Sequence, residues 1–207
     1  MYTCAQCKNK NCRRGDLDKA PQNCPCKDNQ ENTKALYKEK ENLQIAYNSA
    51  LVESEGYCRW SRLEEIMHFA HKCNFSNLGV AFCIGLKEEA FTLVQILRKN
   101  GFTVNSVVCK NGSIPKEFLG ITEDKKLRPS TFEPMCNPIG QAITLNKAKT
   151  DLNIILGLCV GHDTLFIKYS QAPVTVLAVK DRVLGHNPIA ALYLAESYYK
   201  NKLHPSP

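Results

Sequence analysis

Of the eleven cysteines in this 207-residue chain, five lie close to the N-terminus: Cys4, Cys7, Cys12, Cys24 and Cys26. Cys4 and Cys7 are separated by two residues, a spacing that lets one tight turn present both sulfurs to a single ion while backbone amides point at them. Cys12 and Cys24 complete a set of four, in the pattern C-x2-C-x4-C-x11-C-P-C. Zinc ribbons usually carry two C-x2-C knuckles, whereas a compact trio followed by a distant Cys-Pro is closer to iron–sulfur spacing. The expected cofactor is a 4Fe-4S cluster, with Zn2+ as the alternative, and Cys26 is a spare thiol or a substitute for Cys24 as fourth ligand. Residues 1–30 hold hardly an aliphatic side chain, so burial of apolar surface cannot order them. Metal coordination can, because binding free energy in such segments is folding free energy.

A second group emerges from the short apolar runs Leu78 to Cys83, Phe102 to Cys109, Leu152 to Cys159 and Val174 to Val179. Read as parallel strands, they put Cys83, Cys109 and Cys159 at carboxyl ends, and Cys136 just before a helix. Ligands of open α/β sheets bind beyond the carboxyl ends of the strands, so these thiols are candidates for one crevice. Cys83 reads best as a small buried hydrophobe. Cys109 is followed by Lys110, Cys136 lies beside a helix N-terminus, and Cys159 is followed by Val160-Gly161-His162-Asp163; each is a setting that stabilises a thiolate. Cys109, Cys136, Cys159 and Lys110 are therefore expected to form a second site, either a metal centre or a set of redox thiols. In the enzymatic version Cys159 or Cys136 is the nucleophile and His162 the base. Lys180-Asp181-Arg182 and His186 would line the same rim, with Asp181 and Arg182 paired to organise their loop.

The elements that must carry these residues are legible from periodicity. Leu36, Leu43, Tyr47, Ala50 and Leu51 recur at helical spacing, which predicts one long amphipathic helix from Thr33 to about Glu55. Ser61 with Glu64 forms a capping box for a second helix to about Lys72, whose His68 and His71 are expected at the core edge or surface rather than as ligands. Beyond Asn77, strands alternate with helices predicted over Lys87 to Lys99, Ile139 to Lys147, a short one from Gly161, and Ile189 to Tyr199. Asn137-Pro138 and Asn187-Pro188 supply a cap and a first-turn proline to two of these. The fold class is α/β: a small parallel-sheet, Rossmann-like three-layer domain with an N-terminal cysteine-rich metal-binding module and a helical linker. The divisions expected are 1–30 for the module, 31–76 for a helical segment packing on the core, and 77–207 for the α/β domain. Only His204-Pro205-Ser206-Pro207 reads as a loose tail.

The net charge is +7, from 27 basic and 20 acidic residues, but the excess is scattered and lacks interleaved aromatics. It reads as a solvated basic face, not a nucleic-acid footprint. No apolar run reaches the roughly 20 residues of a membrane span, and Met1-Tyr2-Thr3-Cys4 opens without a signal-peptide stretch. A cytoplasmic location, no nucleic-acid partner and no membrane partner are expected, and the thiols are expected reduced or metal-bound. No G-x-G-x-x-G or Walker-type loop supports a nucleotide.

Cys4-x2-Cys7, Cys24-Pro25, Ala81-Phe82-Cys83-Ile84-Gly85-Leu86, Cys136-Asn137-Pro138, Gly157-Leu158-Cys159-Val160-Gly161-His162-Asp163, Lys180-Asp181-Arg182 and His186-Asn187-Pro188 occur in this order over nearly the whole chain. Together they resemble the uncharacterised cysteine-rich prokaryotic family labelled metal-binding protein, domain of unknown function 1847. The resemblance implies metal binding at Cys4, Cys7, Cys12 and Cys24 and implies no reaction; Cys26 departs from the family pattern. The function expected is that of an intracellular metal-binding protein, related to redox or electron transfer, with a redox protein partner or a small anionic ligand. Two alternatives stand beside it: a structural-zinc module that binds an anion or a protein, and a cysteine-dependent enzyme.

Overall fold

Apolar runs too short to be helices, separated by amphipathic stretches and turns, give this chain its parallel sheet. The computed structural model describes residues 2, 4–28 and 30–204. It divides into two compact units, Met1–Arg59 and Trp60–Pro207. Residues 205–207, part of the expected tail, lie outside the described residues.

The first unit is short turns and helices. Cys4–Gln6 and Pro25–Lys27 are single 3-10 turns, and α1 (Asn11–Arg14) ends on Gly15 in the left-handed conformation. The long helix expected from Thr33 to Glu55 is instead two, α2 (Gln30–Tyr37) and α3 (Lys40–Gly56). Glu39 between them is extended, and the Asn42 amide donates both to the Leu36 carbonyl and to the Glu39 carboxylate. A side chain in the second helix thus satisfies a carbonyl freed at the end of the first, which makes the break tolerable.

The second unit opens with α4 (Arg62–Lys72), capped as the sequence predicts: Ser61 Oγ accepts from the Glu64 amide and Glu64 Oε2 from the Ser61 amide. His68 stacks on Trp60 and His71 on Phe102, so both serve as packing groups at the surface. Strands β1 (Asn77–Phe82), β2 (Thr103–Val108), β3 (Leu152–Leu158) and β4 (Val174–Val179) form one parallel sheet in the order β2-β1-β3-β4. Alternation along β1 and β3 sends Leu78, Val80, Leu152, Ile154 and Leu156 to one face, against α4 and α5 (Lys87–Lys99). Ala81, Ile155 and Leu158 turn to the other, against Ala142 and Leu145 of α6 (Pro138–Lys147) and Phe166 of α7 (His162–Tyr169). Three layers result, and β3 is buried over its whole length.

Two features set the carboxyl edge. Gly157 adopts φ +70 inside β3, where the register against β4 shifts, and it places an extra residue between Leu156 and Leu158. That bulge reverses the alternation, so Leu158 joins the core of Ile155 rather than that of Leu156. Residues 110–136, between β2 and α6, form an insert of 3-10 turns closed by an antiparallel bridge between Pro115 and Pro134. Lys126, buried, pairs there with both Glu117 and Glu123. The helix expected from Ile189 to Tyr199 is α8 (Ile189–Tyr193), followed by turns and α9 (Lys200–Leu203). Asn187 makes no side-chain cap at α8, where Pro188 holds the cap position. Among the described residues no helix is long and apolar enough to cross a membrane.

Candidate functional site

In a sheet ordered β2-β1-β3-β4 the chain leaves β1 toward one neighbour and reaches β3 on the other side, so the switch point lies beyond the carboxyl ends of β1 and β3. Cys83 follows β1 directly and Cys159 follows β3; Cys109 follows β2. Cys136 precedes the Asn137 cap of α6. All four line one cavity of about 850 Å3, together with His162 from the first turn of α7 and Arg182 from beyond β4. The insert supplies the facing wall, which includes Leu119, Leu127, Phe132 and Met135.

An asparagine clasp draws Cys109 and Cys136 together. The Asn137 amide donates to the Cys109 carbonyl at 2.7 Å, and the Asn111 side chain donates to the carbonyls of Val108 and Asn137. Asn137 Nδ2 reaches back to Asn111 Oδ1 at 3.2 Å while its Oδ1 caps α6 through the Gly140 amide at 2.9 Å. Below the clasp, the buried Gln141 amide donates to the carbonyls of Phe82 and Val107, tying the ends of β1 and β2. Its Oε1 has no partner among the described residues.

The thiols are electrostatically unlike one another. Cys109, only 2% exposed, hydrogen-bonds with both Cys136 and Cys83, and those contacts push its pKa up. Cys136 is pulled well below the ordinary thiol range, first by its hydrogen bond with Cys109 and then by His162, with Lys110 nearby. The same contact with Cys136 raises the His162 pKa, so each group favours the charged form of the other. Cys83 is lowered by its bond with Cys109 and by the Gly85 amide, with the Lys180 charge adding to this. Cys159 Sγ accepts from Arg182 Nη2 at 3.3 Å.

Each residue expected at this second site lies here: Cys109, Cys136, Cys159, Lys110 and His162 all line the cavity. Cys83 is buried as expected of a small hydrophobe, yet its sulfur belongs to the thiol group. The rim differs from expectation at Asp181. Its carboxylate accepts from the Val183 and Leu184 amides and its own amide donates to His186 Nδ1, while Arg182 turns to Cys159. Two backbone amides close to an aspartate in sequence win over a guanidinium that has a sulfur to bind. Asn111, Gln141 and the insert were not among the expected site residues, and nothing in the sequence revealed the bond of Asn111 to Asn137.

In the first unit, Cys26 hydrogen-bonds with Cys24 and with Cys12, contacts that raise its pKa to about 11, the Cys24 contact first. Cys7 accepts from the amides of Lys10 and Asn9, which lower its pKa. Cys4 is exposed in its turn. Among the described residues no group of three or more His, Cys, Asp or Glu has the arrangement of a formed metal-ion site.

Against known proteins, the model of the family described as "Protein of unknown function (DUF1847)" matches residues 22–177. The chain belongs to this family. The match takes in Cys24, Cys26, all four cavity cysteines and His162, while Cys4, Cys7, Cys12 and Arg182 fall outside it. An uncharacterized protein of Methanocaldococcus jannaschii is 47% identical over 200 residues, covering 97% of each chain. No solved structure matches.

Proposed function

We propose that this is an intracellular metal-binding redox protein whose chemistry resides in the thiols of the cavity. One observation carries the redox half: four cysteines far apart in sequence converge with His162 and Arg182 where the ligands of such sheets bind. Paired thiols can give up two electrons and two protons as they join, and a neighbouring imidazolium supplies the proton that a departing thiolate needs. Eleven cysteines suit a reducing compartment, which supports a cytoplasmic location.

The metal half rests on donor chemistry in the first unit. Cys26 is in sulfur contact with Cys12 and with Cys24, and Cys7 has its sulfur held by two amides, so the donors suit a thiophilic centre in kind. Cys4, Cys7 and Cys12 with Cys24 or Cys26 would hold it. An iron–sulfur cluster would supply one-electron transfer there; zinc would supply cross-linking of a segment with little core.

Purification without oxygen, followed by elemental analysis and visible spectroscopy, tests this half. Iron with absorbance that bleaches on reduction supports the cluster, stoichiometric zinc in a colourless protein supports the structural ion, and a metal-free protein overturns both. Cys24→Ser and Cys26→Ser then identify the ligand whose loss removes the metal. The second reading, a cysteine-dependent enzyme with Cys136 as nucleophile, is favoured by the Cys136–His162 contact. It predicts a covalent adduct confined to Cys136 under turnover, where the redox reading predicts joined thiols.

A further inference from the structure

The cavity carries information about what it accepts. Lys110, Lys116, Lys125, Arg128 and Arg182 are among its lining residues, against a single carboxylate among the described residues, Glu133, which is paired with Lys116. That wall attracts negative charge. The thiols at its base are graded by depth: Cys136 is half-buried beside His162, and Cys109 lies behind it at 2% exposure. The main-chain bond from Asn137 to the Cys109 carbonyl draws the two backbones together, and the two sulfurs are in hydrogen-bond contact.

We infer that Cys136 and Cys109 act in sequence, as attacking and resolving thiols, on small disulfides that carry negative charge. This rests on the redox reading of the cavity and adds to it the substrate class and the division of labour. The Cys136 thiolate attacks one sulfur of the substrate; a Cys136–substrate S–S bond forms, the substrate S–S bond breaks, and the departing thiolate takes the proton of His162. Cys109 then attacks Cys136 Sγ, its proton passing to the second departing thiolate. The Cys109–Cys136 disulfide forms as the mixed disulfide breaks. In sum the two protein thiols are oxidised, one substrate disulfide is reduced to two thiols, and His162 recovers its proton from solvent in exchange for the one it gave. The same steps run backwards with two thiols as donors restore the reduced pair. Arg182, close to both Cys159 and Cys136, is placed to hold an anionic group of the substrate.

The experiment uses the reduced full-length protein under argon and three probes with the same S–S group: dithiodipropionate, hydroxyethyl disulfide and cystamine, which are anionic, neutral and cationic. Thiols are trapped at intervals and the peptides mapped by mass spectrometry. The expected product is a Cys109–Cys136 linkage, formed at least about 10-fold faster with the anionic probe than with the cationic one at low salt, the gap narrowing as salt is added. Cys109→Ser should accumulate half of the probe on Cys136, and Cys136→Ser should leave Cys109 free; the mapping of the unaltered chain stands even if a variant misfolds. A linkage between Cys83 and Cys109 instead, an unreacted Cys136, or equal rates for the three probes would overturn the inference. Diamide, a neutral thiol oxidant, separates the two levels. If it joins cavity thiols while the disulfides do not, the inference falls and the redox reading survives; if it joins none, both fall.

Discussion

Cys136 owes its character to three neighbours on three different elements: Cys109 from the end of β2, His162 from α7, and Lys110 from the start of the insert. Because its pKa is lowered and that of His162 is raised, a pH window exists in which one is a thiolate and the other an imidazolium. The groups facing this pair include Cys109 and Lys110, with Asp163 acting on His162. Alkylation of Cys136 by iodoacetamide should therefore stay fast as pH falls below the ordinary thiol range near 8.5, where a free cysteine slows about tenfold per unit. His162→Asn should move the midpoint of that profile upward, while the Cys109 contact continues to hold it below the ordinary thiol range. A profile unchanged by the substitution would show that the imidazole does not support the thiolate. The types and order of these residues were readable from the sequence, since Cys-Lys, Cys before Asn-Pro, and Cys-x2-His each advertise a charged or amide-rich setting. Which thiol contacts which was not readable, because that depends on the Asn111–Asn137 clasp and on the Gln141 bridge, both long-range side-chain bonds.

At the scale of elements, Gly157 is where the strand geometry is least forgiving. A Cβ there would lie 2.2 Å from Leu86 Cδ1, and its φ of +70 is one that L residues seldom adopt. Gly157→Ala should destabilise the fold by about 2–4 kcal/mol, read as a lower urea midpoint with an unchanged slope. Asn137→Ala removes a helix cap and the Asn137 side-chain bond to Asn111, and should cost about 1–2 kcal/mol, while the main-chain bond to the Cys109 carbonyl is kept. The strands were legible because apolar runs bounded by turn residues admit few other readings: β4 falls on the expected Val174 to Val179, and α5 on Lys87 to Lys99. The break at Lys38-Glu39 was not, since residues on both sides of it keep helical periodicity and the interruption is stabilised by the single side chain of Asn42. The insert was invisible for a related reason; its order comes from bridges such as Lys126 with Glu117 and Glu123, not from periodicity.

For the molecule as a whole, those bridges set a pH range. Lys126 holds the pKa values of Glu117 and Glu123 down, and they hold that of Lys126 up. A depressed carboxylate contributes stability that is complete above its unfolded pKa, near 4.3, and is lost as pH falls through the lower folded value. A raised lysine contributes stability that is complete below its unfolded pKa, near 10.4, and is lost as pH rises through the higher folded value. Amide exchange protection in residues 116–131 should thus be flat between roughly pH 5 and 10 and decline first on the acid side. Lys126→Met should weaken that acid dependence, because the carboxylates lose the cation that depresses them most and keep their backbone hydrogen bonds.

The insert also begins and ends at the two sulfurs on which the chemistry is proposed to turn, Cys109 and Cys136. Joining them would convert the wall opposite the thiols from an open strap into a covalent ring, a constraint on the order of 3–4 kcal/mol for a loop of this length. Loss of two electrons would then be felt as a mechanical stiffening of the chamber in which it occurred. Hydrogen exchange across the strap, slow after oxidation and fast after reduction, would register it.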